Sequence, residues 1–207
     1  MNQTDAMARA ARAKKVTWVG FWVNVVLSVA KIIAGIVGRS GAMIADGVHS
    51  ISDFVTDIIV IVFIGVSAKG ENTRFRYGHG KFETFATMLI SFALFAVAVG
   101  LFWTSFSQIV DALNGKVLPR PEMVALVMAF VSVVAKEWLF HYTRVAGEQM
   151  NSMALVANAW HHRSDAFSSI AVLVGIGCAM FLGERWRVLD PIAAATVSVF
   201  IALVAYR

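Results

Sequence analysis

A chain of 207 residues with 58% hydrophobic and 15% charged side chains falls short of the roughly 25% charged content of a soluble domain. Its formal net charge of +5 reads as basic loops beside anionic lipid, not as a nucleic-acid face. The one cysteine, Cys178, excludes an internal disulfide and a cysteine-rich metal cluster.

Residues 1–15 hold Arg9, Arg12, Lys14 and Lys15, and no small-residue cleavage site follows the next apolar run. They read as a short basic cytoplasmic lead, helical or disordered, and not as a signal peptide. Six apolar runs follow, at 16–37, 42–67, 82–112, 122–142, 152–182 and 191–206. Runs of this length suit helices that cross a hydrocarbon core of about 30 Å. The third and fifth exceed a minimal span and are expected to tilt or project into water, and the sixth is near the short limit. The pattern predicts one domain over 16–207, an all-α membrane protein with six transmembrane helices.

With the N-terminus inside, the inner segments carry ten basic residues: Arg9, Arg12, Lys14, Lys15, Lys69, Arg74, Arg76, Lys81, Arg144 and Arg207. The outer segments carry five: Arg39, Lys116, Arg120, Arg185 and Arg187. This asymmetry predicts both termini in the cytoplasm. Lys31, Lys136 and Arg163 fall within spans and do not enter the sum.

The second and fifth spans hold copies of one pattern. Ala42, Ala45, His49, Ser52 and Asp53 recur as Ala154, Ala157, His161, Ser164 and Asp165, a constant offset of 112 residues. In each copy a His and an Asp stand four apart, on one helix face. Under the predicted topology the copies run in opposite directions, three spans apart, which makes an inverted 3+3 repeat, a transporter architecture with its site at the repeat interface. Two imidazoles and two carboxylates suffice for a tetrahedral site suited to zinc. His49, Asp53, His161 and Asp165 are therefore the candidate metal ligands, and ionisable groups at membrane depth point to function.

Asp46, His49, Asp53 and Asp57 form a polar stripe along the second span, and Asn158, His161, Asp165 and Ser169 form another along the fifth. Such stripes suggest a hydrated path. Asp46 and Asn158 are candidates to orient an imidazole through its second ring nitrogen, whereas Asp57 reads as solvated near the inner end. His162 is rotated about 100° from His161 and is not expected to be a ligand. Arg163 points off the stripe and calls for an acidic or carbonyl partner. Lys136 and Glu137 read as inner-interface residues, ahead of the anchors Trp138, His141, Tyr142 and Arg144. The loop Tyr77-Gly78-His79-Gly80-Lys81 lacks the spacing of a phosphate loop. It reads as a tight turn at the cytoplasmic lipid surface, with His79 a weak regulatory metal candidate.

Three motifs in order resemble the transmembrane domain of the cation diffusion facilitator family: residues 40–53, the loop from Arg76 to Glu83, and residues 158–165. The resemblance covers nearly the whole chain. It implies divalent-metal export driven by proton counterflow, with alternating access at His49, Asp53, His161 and Asp165. A His/Asp pair on both spans is similar to zinc-transporting members, and manganese members usually depart from it. Zn2+ is thus the implied substrate, with Fe2+ and Cd2+ open because N/O donors select weakly among them. Some bacterial relatives carry a second site in the loop; here Asn72 and Phe75 stand at two of its positions, with only His79 retained. The family usually continues into a cytoplasmic domain, absent after Arg207, which would supply a charge partner for Lys81 and dimer contacts. A homodimer in a bacterial cytoplasmic membrane is the expected setting, with no organic cofactor and no nucleic-acid partner.

Two other classes compete. The five histidines are too few for a histidine-box desaturase, and no His-Glu-x-x-His motif supports an intramembrane metalloprotease. A cation channel would need weak multiple sites, whereas four such donors bind tightly.

Overall fold

The computed structural model describes residues 3–52 and 80–206. Helix α1 runs Gln3–Val37 and turns into α2, described over 41–52. Then come α3, Gly80–Leu113, α4, Met123–Gln149, and α5, Met153–Phe181. A short 3-10 helix, Glu184–Val188, leads into α6, Leu189–Tyr206. No strand occurs among the described residues. Five described stretches are long and apolar enough to cross a membrane: Lys15–Val37, Ser91–Leu113, Met123–Gln149, Leu155–Phe181 and Glu184–Leu203. Most of the run at 42–67 lies outside the described residues.

Two boundaries differ from the hydropathy reading. The basic lead is helical from Gln3, because alanine, methionine, lysine and arginine are good helix formers and give the helix no reason to stop at the apolar boundary. Helix α4 continues about two turns past Tyr142, to Gln149. An ion pair one turn apart, Arg144 Nε to Glu148 Oε1 at 2.7 Å, suits that polar extension.

The helices are packed for lipid. On α1 the exposed positions are Trp18, Trp22, Val26, Val29, Ile33 and Ile36, an apolar stripe at helical spacing. The interior combines larger apolar side chains such as Met43 and Ile176 with small ones, among them Ala42, Ala45, Ala125 and Ala129, all fully buried. Small side chains let helix backbones approach where no water drives association. Helix α2 is gripped on three sides. A Cβ on Gly35 of α1 would lie 2.8 Å from the Ile44 nitrogen, and one on Gly47 would lie 2.7 Å from Ile32 Cγ1. From α6, Asp190 accepts Ser40 Oγ at 2.5 Å and the Gly41 amide at 2.8 Å, placing a carboxylate on the α2 N-terminus, where the helix dipole favours it. From α5, Ser169 reaches Asp46.

The turns joining α1 to α2 and α4 to α5 match atom for atom at the offset of 112. Arg39 and Asn151 both take the left-handed conformation, with φ of 51° and 48°. The Ser40 amide donates to the Gly35 carbonyl at 3.0 Å, and Ser152 does so to Gly147 at 2.9 Å. Ser40 Oγ accepts the Met43 amide at 3.1 Å, and Ser152 Oγ accepts Leu155 at 3.4 Å, so each serine caps its helix. The turns lie at opposite ends of the bundle, because α4 starts beside the first one, with the Glu122 amide on the Gly38 carbonyl at 2.8 Å, and ends at the second. At that first end Arg187 also donates to the Leu118 carbonyl at 3.0 Å, so all three connections there are tied together.

The Gly35 contact predicts a cost. Gly35→Ala forces α1 and α2 apart and is expected to destabilise by about 1–3 kcal/mol, as overpacking does, seen as a lower melting temperature in detergent. Gly100→Ala, whose added Cβ meets nothing within 4 Å, is expected to leave it unchanged or higher.

Candidate metal centre

Helix α2 runs away from the tied end and α5 runs toward it, so the two are antiparallel. A polar contact joins them at Ser169, whose Oγ lies 3.3 and 3.2 Å from the two oxygens of Asp46. One turn further along each helix come His49 and Ser50 on α2 and Asp165 on α5, with His161 and His162 a second turn along α5.

A charge network fills this region. Lys31 Nζ of α1 lies 2.8 Å from Asp46 Oδ2, with neither side chain exposed. The same ammonium donates to Ser50 Oγ at 3.1 Å and Ser169 Oγ at 3.3 Å. Ser132 Oγ of α4 stands 3.5 Å from Ser169 Oγ. One turn away, Lys136 Nζ of α4 lies 3.0 Å from Asp165 Oδ2. Burying a lone charge costs several kcal/mol, and pairing with good hydrogen bonds is what offsets it. The result is two carboxylates and two ammoniums, locally neutral, joining α1, α2, α4 and α5.

Of the sequence-predicted ligands, His161 and Asp165 are brought together: His161 Nε2 is 3.9 Å from Asp165 Oδ2, beyond hydrogen-bond length. His161 is 45% exposed and Asp165 8%. His49 is half-buried on α2 and within electrostatic reach of Asp165. Asp53, Asp57 and His79 lie outside the described residues, and Lys81 stands in the first turn of α3. Among the described residues no three His, Cys, Asp or Glu side chains gather around one point.

Other side chains depart from the stripe reading. Among the described residues the hydrogen bonds on Asp46 come from an ammonium and a hydroxyl, not an imidazole. Asn158 does meet an imidazole, but that of His162, with Nδ2 3.4 Å from Nε2. His162 is buried and faces α1, where a Cβ on Gly20 would meet its Nε2 at 3.6 Å. Among the described residues Arg163 meets neither an acid nor a carbonyl: its guanidinium lies over Phe140, Trp160 and Phe167, with centroid distances of 4.7, 5.5 and 6.0 Å, and such π faces stabilise a cation directly. Lys136 is not an interface residue, being 1% exposed, whereas its neighbour Glu137 is surface-facing and pairs with His141 at 3.2 Å.

Sequence reasoning missed both lysines as site residues. The signal was present: a lysine within an apolar run needs a carboxylate on a neighbouring helix. It also missed Asp190, whose role depends on a contact 149 residues away.

A family model described as the cation efflux transmembrane domain matches residues 17–207. The chain is similar to mitochondrial metal transporter 1 of Saccharomyces cerevisiae, 33% identical over 207 residues, covering 89% of this chain and 39% of the relative. It is similar to magnetosome protein MamB of Magnetospira sp. (strain QH-2), 33% identical over 199 residues, covering 96% and 65%. It is also similar to manganese efflux system protein MneP of Bacillus subtilis, 34% identical over 200 residues, covering 95% and 66%. The chain thus spans 39 to 66% of the length of these relatives.

The Lys31–Asp46 pair predicts a thermodynamic asymmetry. Lys31→Met alone strands a buried carboxylate and is expected to cost about 3–5 kcal/mol, while Lys31→Met with Asp46→Leu recovers most of it. Thermal melting of the single and double variants in detergent measures the difference.

Proposed function

This chain belongs to the cation efflux family by its transmembrane domain, and on that premise we propose that it exports a divalent metal ion, Zn2+ by preference, in exchange for protons. The observation that carries this reading is Asp165: it is a buried carboxylate midway along α5, with His161 one turn away at 3.9 Å. The ligand set is His49, Asp53, His161 and Asp165, with two carboxylates to offset the double charge and two neutral imidazoles to complete a tetrahedral N/O shell.

The exchange follows from competition for these donors. Metal binds only deprotonated ligands, so loading releases protons and protonation expels the metal; imidazole is the group best placed to do this near neutral pH. Alternating access fits an inverted 3+3 repeat of six spans, and the matched turns at opposite ends of α4 support that architecture. The same reading has the protein work as a homodimer in a bacterial cytoplasmic membrane with both termini inside, the orientation that the basic inner segments support.

A second reading is favoured by one finding, the similarity to a protein called a manganese efflux system. Imidazole donors favour Zn2+ over Mn2+, which prefers oxygen, so the histidines support zinc; Fe2+ and Cd2+ stay open, because N/O donors select weakly among them.

In proteoliposomes, Zn2+ is expected to drive proton flux that His49→Ala and Asp165→Ala each abolish. Unaltered flux in either variant removes the ligand assignment. Competition by Mn2+, Fe2+ and Cd2+ against Zn2+ uptake ranks the metals, and a preference for Mn2+ over Zn2+ replaces the first reading by the second.

A further inference from the structure

The two buried lysines are held very differently. Lys31 has three partners, and its carboxylate, Asp46, is fixed in turn by Ser169. Among the described residues Lys136 has one ionic partner, Asp165 at 3.0 Å, although an ammonium can donate three hydrogen bonds. Asp46 is wholly closed off, whereas Asp165 keeps 8% of its side chain exposed and has His161 Nε2 on the same oxygen side at 3.9 Å. The first pair is built into the bundle, and the second can be exchanged.

Resting on the reading of Asp165 as a metal ligand, we propose that Lys136 is a tethered cation that holds Asp165 while the site is unloaded, and that an incoming dication must displace it. Asp165 Oδ2 cannot give its full charge to the ammonium and to a dication at once. A dication brings twice the charge of the ammonium to the same carboxylate, which favours displacement. The lysine stem is flexible enough to withdraw, and Ser132, one turn away on α4, offers its Oγ as an acceptor. Lys136 thereby keeps a buried carboxylate neutralised through the unloaded part of the cycle and sets the affinity of the site by competing with the metal.

Zn2+ binding by the full chain in nanodiscs, measured by calorimetry, tests this together with thermal melting. Lys136→Met removes the competitor and is expected to bind Zn2+ about tenfold more tightly. Lys136→Arg puts a planar fork against the carboxylate, holds it more firmly and is expected to weaken Zn2+ binding. A lysine that served only the packing would lower affinity and melting temperature together in both variants. Unchanged or weaker binding by a folded Lys136→Met overturns the proposal; if that variant does not fold, unchanged or tighter binding by Lys136→Arg does. Asp165→Asn separates the two ideas: if wild type binds Zn2+ and Asp165→Asn does not, a failure of the Lys136 variants sinks the inference alone, and absence of Zn2+ binding by wild type sinks both.

Discussion

Charge neutralisation in a medium without water is the constraint the rest of this bundle obeys. Lys31 and Asp46 are fully buried and 2.8 Å apart, and Lys136 and Asp165 are nearly so at 3.0 Å. Each unpaired member would cost several kcal/mol. A helix contact between small residues contributes far less per residue, so the ion pairs fix which helix faces which, and at what depth. Lys31 ties α1 to α2, Ser169 ties both to α5, and Lys136 ties α4 to α5.

Small residues then set how closely those helices approach. Gly35 and Gly47 leave room for Ile44 and Ile32 across the α1–α2 crossing, and Gly147 does the same for Val156 at the α4–α5 turn, where a Cβ would meet its nitrogen at 3.0 Å. Large apolar side chains are turned outward instead, as along α1 from Trp18 to Ile36. Bulky side chains thus serve on both sides, since Met43, Phe140, Leu139 and Ile176 are fully buried as well, but small residues hold the points of closest backbone approach.

Much of this was legible in the sequence and some of it was not. Hydropathy located α4, α5 and α6 because lipid demands apolar length, and spacing placed His161 and Asp165 on one face of α5. The offset of 112 was visible in side chains and reappears in the backbone of two turns. Partner choice was hidden. A pattern along one helix says that Lys31 needs an acid but cannot say that Asp46 is the one. The rings around Arg163 were hidden too, because aromatic rings carry no formal charge and Phe140 lies on another helix. The helical lead escaped because hydropathy marks where lipid begins, not where a helix does.

The carboxylate of Asp190 belongs to α6, yet two of its hydrogen bonds go to the start of α2, through Ser40 and Gly41. Those bonds make a mechanical coupling. The helix that bears His49 cannot rotate or slide at that end without either dragging α6 with it or losing both bonds in one step. Any rocking motion of the bundle therefore inherits α2 and α6 as a single lever, with its fulcrum at the membrane face where the three connections are laced.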